Sequence, residues 1–314
     1  MACAMTPDQV RAAAHRIGPF IRRTPVFRVI IDGRPVTLKL EHLQLTGSFK
    51  IRGALNALLA APGSGRVITA SGGNHGLGLA TAASLLDIKA TVFVPENVPA
   101  AKERRIAAAG AEVIRQGARY ADADRAARQL ADRSGARYLH AYDDAEVMAG
   151  QGTVGLEVAA QAPDCDTVAV AVGGGGLIAG VAVAAGRTVV GVEPDRCQAL
   201  HAAVAAGRPV DVPIDSVAAS ALGATRIGAV PFAVLKAAAA QAAGSAGALS
   251  LALVSDAEIL AARDRLWEEF RLAVEPAAAA AFAAWLGGRV PGEHPCLVLC
   301  GANDDWTPGQ PTDE

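Results

Sequence analysis

A lysine that follows a Gly-Ser turn and opens a predicted helix is the first residue here able to do covalent chemistry. In KLEHLQLTGSFKIRGALNAL (39–58), Phe49 precedes Lys50, and Ile51, Ala54 and Leu55 follow at helical spacing. Taken alone, such a lysine is usually an exposed residue. Among apolar neighbours, however, an amine loses protonation and becomes a usable nucleophile. Two glycine-bearing segments offer anion sites. TASGGNHGLGLA (69–80) leaves a strand-like run and enters a helix, so its free N–H groups and the helix N-terminus suit a carboxylate or a phosphate. The same pattern equally serves as a plain strand-to-helix turn. VAVGGGGLIAG (170–180) sets Gly173, Gly174, Gly175 and Gly176 between a β-branched run and an apolar helix, a cradle with donors and no side chains in the way. It is neither GxGxxG with a later ribose-binding acid nor GxxxxGK[ST]; a phosphate monoester fits better than a dinucleotide.

The elements that must position these groups alternate regularly. RVITA (66–70), ATVFVP (90–95) and AEVIRQ (111–116) read as strands, with helices over 76–87, 100–110 and about 120–134 between and after them. TVAVAV (167–172) leads into the tetraglycine turn and a helix. TVVGVE (188–193) precedes a helix near Cys197–Ala206, and helices over 256–270 and 277–286 precede the apolar run CLVLC (296–300). Such alternation predicts right-handed βαβ units and an α/β protein with two Rossmann-like parallel-sheet domains. The expected division is a small domain over 66–143 and a discontinuous large one over 1–65 and 144–314. The stretch 207–250 reads as loop-rich and is the least readable, and the tail WTPGQPTDE is expected to be disordered.

With 314 residues, two lobes are the default expectation. A net charge of −2 implies no basic face, so neither nucleic acid nor an anionic membrane is an expected partner. Thr167 to Gly186 is uncharged over 20 residues, but its glycines oppose a membrane helix. Five cysteines without a CxxC or a His cluster argue against disulfides and zinc and favour a reducing compartment. The N-terminus lacks the pattern of a secretory signal. A cytoplasmic protein is therefore expected.

Together LTGSFKIRGA, SGGNHG, VGGGGLIAG and CGAN, in this order, resemble the fold type II pyridoxal-phosphate enzymes, and most of all the threonine/serine dehydratase and serine racemase branch. The resemblance covers residues 15 to 305. It implies pyridoxal 5'-phosphate joined as a Schiff base to Lys50, with Phe49 against the ring, Asn74 at its phenolic oxygen and Cys300 at its pyridine nitrogen. Gly173 to Gly176 and Leu177 would hold the phosphate. Ser71, Gly72, Gly73, Asn74 and His75 would hold the carboxylate of a small hydroxy-amino-acid substrate, and a homodimer is the family expectation. Where serine racemases carry a serine before Gly-Asn-His, this chain has Gly72, so little racemase activity is expected. No metal is expected: Glu193 in GVEPDRCQA matches the first ligand of that branch's cation site, but the later carboxylate falls near Ala199. Glu275 resembles a family glutamate near the cofactor; its place before Pro276 makes a helix-cap role the expected one. His15, His42, His140, His201 and His294 show no partner pattern and read as surface or packing residues.

The expected reaction is dehydration of L-threonine or L-serine to 2-oxobutyrate or pyruvate plus ammonia. A neutral Cys300 thiol offers the ring nitrogen no countercharge, which favours loss of a β-leaving group over transamination. The chain ends soon after CGAN, so no inhibition by isoleucine is expected. Elimination from a hydroxyaspartate or phenylserine-type substrate, racemisation of serine, and non-catalytic cofactor binding are the alternatives.

Overall fold

Alternating apolar runs and glycine turns build two sheets in the computed structural model, which describes residues 5–61, 65–241 and 249–304. The expected disordered tail lies outside the described residues. The strands are β1 (Val26–Ile31), β2 (Arg34–Lys39), β3 (Arg66–Ala70), β4 (Lys89–Val94), β5 (Glu112–Arg115), β6 (Arg137–Tyr138), β7 (Thr167–Ala171), β8 (Thr188–Pro194), β9 (Leu249–Val254) and β10 (Pro295–Val298). The helices are α1 (Pro7–Ile17), α2 (Lys50–Ala60), α3 (Asn74–Leu85), α4 (Ala100–Ala108), α5 (Tyr120–Ser134), α6 (Ala145–Gln161), α7 (Gly176–Ala184), α8 (Ala199–Ala206), α9 (Ala219–Leu222), α10 (Ala229–Gln241), α11 (Asp256–Phe270) and α12 (Pro276–Leu286). One sheet has the order β5-β4-β3-β6 and the other β1-β2-β10-β7-β8-β9.

Every pairing is parallel except β1 with β2, whose register runs Val26 to Lys39 through Ile31 to Arg34. Both sheets are thus parallel-dominated, as expected, and the β1–β2 hairpin adds one antiparallel edge strand to the larger. The hairpin turns through Asp32 and Gly33, both at positive φ, a two-residue connection that only antiparallel strands can use. Between Thr167 and Gly186, the uncharged run is strand, turn and helix. No helix among the described residues is long and apolar enough to cross a membrane.

Packing links the chemistry-bearing turns. Helix α6 lies between α2 and α7, and glycines let all three backbones approach closely. A Cβ at Gly150 would lie 2.6 Å from Gly53 Cα of α2, and one at Gly152 would lie 2.8 Å from the Gly180 carbonyl of α7. The helix that begins at Lys50 is thus fixed against the helix that follows the tetraglycine turn. On its other side, α2 buries Ile51 and Leu55 with Val67, Leu79 and Val92, the core beneath the four-stranded sheet.

A buried ionic cluster holds the first turn of α2. Arg52, fully buried, spends all five N–H donors: Nε and Nη2 on the Glu41 carboxylate (2.7 and 2.8 Å), Nη1 and Nη2 on Glu157 (2.8 and 3.0 Å), and Nη1 on Thr153 Oγ1 (3.1 Å). Lys39 likewise donates to the Thr24 carbonyl (2.7 Å), Glu157 (2.5 Å) and Gln161 (2.8 Å). Buried charges persist only when paired and fully hydrogen-bonded. Here each cation is, so the position of residue 50, two residues upstream, is strongly constrained.

Candidate active site

Lys50 is the first residue of α2, and its amine faces a cleft of about 490 Å³ between the two sheets. Phe49, Ser71, Gly72, Gly73, Asn74, His75, Gly173, Gly174, Gly175, Gly176, Leu177 and Cys300 line the same cleft. All the cofactor and substrate residues expected from the sequence therefore meet in one place. Lys50 Nζ donates one hydrogen bond, to the Ala141 carbonyl at 3.1 Å. Burial lowers its pKa from 10.5 to about 8, against the opposing pull of Cys300 and Glu275. Near neutrality a useful fraction of the amine is unprotonated, as a nucleophile or base requires.

The tetraglycine turn follows β7 directly and runs into α7. Gly175 holds φ at +92°, in the left-handed region that glycine tolerates. Side chains are excluded on several sides: a Cβ at Gly174 would overlap the Tyr142 ring, and one at Gly173 would lie 3.0 Å from the Ala221 carbonyl. Backbone N–H groups and the positive end of α7 thus face the cleft without obstruction, the arrangement that receives a phosphate. The second turn, Ser71 to Gly73, follows β3 and enters α3 at Asn74. Ser71 Oγ accepts from Gly73 N (3.3 Å), which fixes the turn.

The His75 side chain is spent below that turn. Its Nε2 lies 3.1 Å from Thr69 Oγ1, and Thr69 Oγ1 donates to the Leu139 carbonyl at 2.7 Å. Burial, reinforced by the charge of Lys50, pushes the imidazole pKa down to about 3, so it is neutral. Any part His75 plays in anion binding falls to its backbone N–H in the first turn of α3, not to an imidazolium. Cys300 is buried, and burial together with Glu275 raises its pKa, which keeps it a thiol.

Glu275 departs from expectation. It occupies the N-cap position of α12, but its side chain makes no cap hydrogen bond. Its carboxylate turns into the cleft, where Oε1 accepts from Asn74 Nδ2 (2.8 Å) and Oε2 from Asn303 N (3.1 Å). Asn303 Nδ2 in turn donates to Asn74 Oδ1 (2.8 Å) and to the Thr46 carbonyl (2.6 Å). Burial raises the Glu275 pKa from 4.5 to about 7. The tertiary donors Asn74 Nδ2 and Asn303 N take both carboxylate oxygens in place of the N2 and N3 N–H groups that a cap would bond. Asn303 belongs to CGAN, a motif visible in the sequence, but its partner is 28 residues away, so its role had no local signature.

Glu193 lies outside the cleft. Its buried carboxylate accepts from Leu200 N (2.7 Å) and from His201 N and Nδ1 (2.9 and 2.7 Å). It caps α8 and pairs with His201, a partner that spacing alone did not reveal. Sequence reasoning also missed Tyr142, against the glycine turn, and the wall formed by Ile214 and Ala219 to Thr225. That wall falls in the stretch where periodicity was faintest.

The chain's similarity to known proteins is extensive. The family model described as pyridoxal-phosphate dependent enzyme matches residues 17–301. An L-threonine ammonia-lyase of Geobacter sulfurreducens is 39% identical over 284 residues, which span 87% of this chain and 68% of that protein. Among solved structures, a threonine deaminase from T.th. superposes with a TM-score of 0.87 at 36% identity, covering 96% of this chain and 100% of that one. Maize serine racemase also reaches 0.87, at 30% identity, covering 96% and 95%.

Proposed function

Because this chain belongs to the family of pyridoxal-phosphate dependent enzymes, we propose that it removes water and ammonia from L-threonine, and from L-serine, in the cleft around Lys50. The cofactor is pyridoxal phosphate. The residues present fit it: a buried amine of lowered pKa stands in one cleft with a turn that no side chain can enter. In this reading Lys50 would hold the cofactor covalently, Gly173 to Gly176 with Leu177 would hold its phosphate, and Phe49, Asn74 and Cys300 would hold its ring. When bound, the cofactor supplies an electron sink that stabilises negative charge at the substrate's α-carbon.

The protein's own groups do the rest. Backbone N–H groups of Gly72, Asn74 and His75, at the positive end of α3, orient the substrate carboxylate, while those of Ser71 and Gly73 hold the turn itself through the Phe93 carbonyl and Ser71 Oγ. Lys50, with a pKa near 8, takes the α-proton and can return it. Burial would keep the Cys300 thiol neutral, and the β-hydroxyl leaves as water with the proton that Lys50 took from the α-carbon. The resulting enamine takes up water and releases ammonia, giving 2-oxobutyrate from threonine or pyruvate from serine. Gly72 offers no side chain to reprotonate the opposite face, and a Cβ there would lie only 2.5 Å from Val98 Cγ2. That crowding favours elimination over racemisation.

One observation carries this reading: the Lys50 amine and the tetraglycine turn share a single cleft. The test is to assay purified protein, loaded with pyridoxal phosphate, for 2-oxo acid and ammonia from L-threonine and L-serine. The Lys50→Ala protein should fold and yield neither product. Absence of oxo acid from both substrates with the native protein refutes the proposal. The same proposal includes a cytoplasmic homodimer. The described cysteines are free and buried, as suits a reducing compartment, and light scattering on the purified protein tests the dimer.

A further inference from the structure

Helix α4 lies along the turn that precedes α3, and its inward face can be read from two contacts. A Cβ at Gly72 would lie 2.5 Å from Val98 Cγ2, and one at Gly76 would lie 3.2 Å from Ile106 Cδ1. Val98 and Ile106 are eight residues apart, and Lys102 falls midway, four residues from each. Its backbone N–H donates to the Pro99 carbonyl (3.0 Å), which closes the first turn of α4 just after Val98. Lys102 and Ile106, four apart within α4, share a helix face. Lys102 therefore sits on the face that borders the Ser71 to His75 turn, and it lines the cleft.

Three features set this lysine apart. It is only half exposed. Its ammonium makes no hydrogen bond or ion pair among the described residues, whereas Arg115, on the neighbouring strand β5, is paired with Glu103 of the same helix. It also stands in the first turn of α4, where the helix dipole disfavours a cation. An unpaired, unfavourably placed cation beside an anion-binding turn is explained if an anion arrives there. Its positive field already reaches the cleft interior, where it favours the ionised form of Glu275.

We propose that Lys102 is a specificity-determining residue, whose ammonium recruits the substrate α-carboxylate and steadies it on the Ser71 to His75 turn. The turn's N–H groups set the direction of the carboxylate, and Lys102 supplies the full charge that they lack. Uncharged amines are thereby discriminated against. This rests on the amino-acid substrate proposed above.

The test uses the cofactor-loaded protein and its Lys102→Met and Lys102→Arg variants. Binding of L-threonine and of L-threoninol, which lacks the carboxylate, is followed through the cofactor's absorbance, alongside steady-state kinetics. Lys102→Met should weaken L-threonine about tenfold, seen mainly in KM, and leave L-threoninol unchanged; Lys102→Arg should restore most of the loss. Equal weakening of both ligands, or no weakening of L-threonine, overturns the proposal. If the native protein neither binds nor turns over L-threonine, the substrate reading fails instead, a separate and distinguishable result.

Discussion

Glu275 gives the site a pH dependence whose size follows from its burial. The residue is 3% exposed and accepts two hydrogen bonds, yet burial outweighs them and raises its pKa from 4.5 to about 7. A carboxyl group whose pKa is raised on folding binds its proton more tightly in the native state. Its contribution to stability is complete below pH 4.5 and is lost as pH rises through about 7. At ~1.4 kcal/mol per pH unit, the shift amounts to about 3 kcal/mol. Glu275→Gln removes that titration. Its amide keeps an acceptor for Asn74 but presents a donor to the Asn303 N–H, so the variant should lose about 1 kcal/mol at pH 5. Relative to the native protein it should then gain about 2.5 kcal/mol between pH 5 and pH 8. Urea unfolding of both proteins, followed by circular dichroism from pH 5 to 8.5 with the cofactor in excess, gives the difference directly. Groups whose pKa does not depend on Glu275 are common to both proteins and cancel, and the cofactor in excess would occupy the Lys50 amine, whose pKa does depend on it. A difference that stays constant across this range refutes the reasoning.

Two further substitutions test the positioning of the site. Gly174→Ala would force a methyl group into the Tyr142 ring; we expect at least tenfold weaker retention of pyridoxal phosphate in a fluorescence titration, and unchanged affinity would show that the turn is not the phosphate cradle. Arg52→Met removes both Arg52 bonds from the buried Glu41 carboxylate and leaves the half-buried Glu157 with Lys39 alone. The expected loss is about 3–5 kcal/mol in urea-midpoint measurements, and a loss below about 1 kcal/mol would mean that the cluster does not hold α2.

The local code was strong wherever side-chain pattern and backbone demand coincide. The helix expected over 120–134 is observed at Tyr120–Ser134, and the strand expected over 66–70 at Arg66–Ala70, because apolar alternation and caps act over a few residues. The glycine turns and Lys50 were readable for the same reason: absence of a Cβ and an amine at a helix start are properties of the residues themselves. Helices α1, α6, α9 and α10 and strands β1, β2, β6 and β9 were not recognised; α9 and α10 lie in the stretch read as loop-rich. Strand β6 is two residues long, and α6 is apolar on most sides because it is buried between two other helices.

What the sequence by itself determined was the inventory: a reactive amine, two anion-receiving turns, and the alternation that sets them at strand ends. Only the tertiary structure decided how those groups are tuned. The lowered pKa of Lys50, the neutral imidazole of His75 and the raised pKa of Glu275 all arise from burial, and burial depends on residues distant in the chain. Glu275 shows the difference most clearly. Its place before a proline is local and predicted a helix cap, whereas its partners Asn74 and Asn303 reach it only when the two sheets close on one cleft. Neighbours in sequence fix backbone geometry through short-range sterics, but the free energy of a charge is set by everything within several ångströms of it.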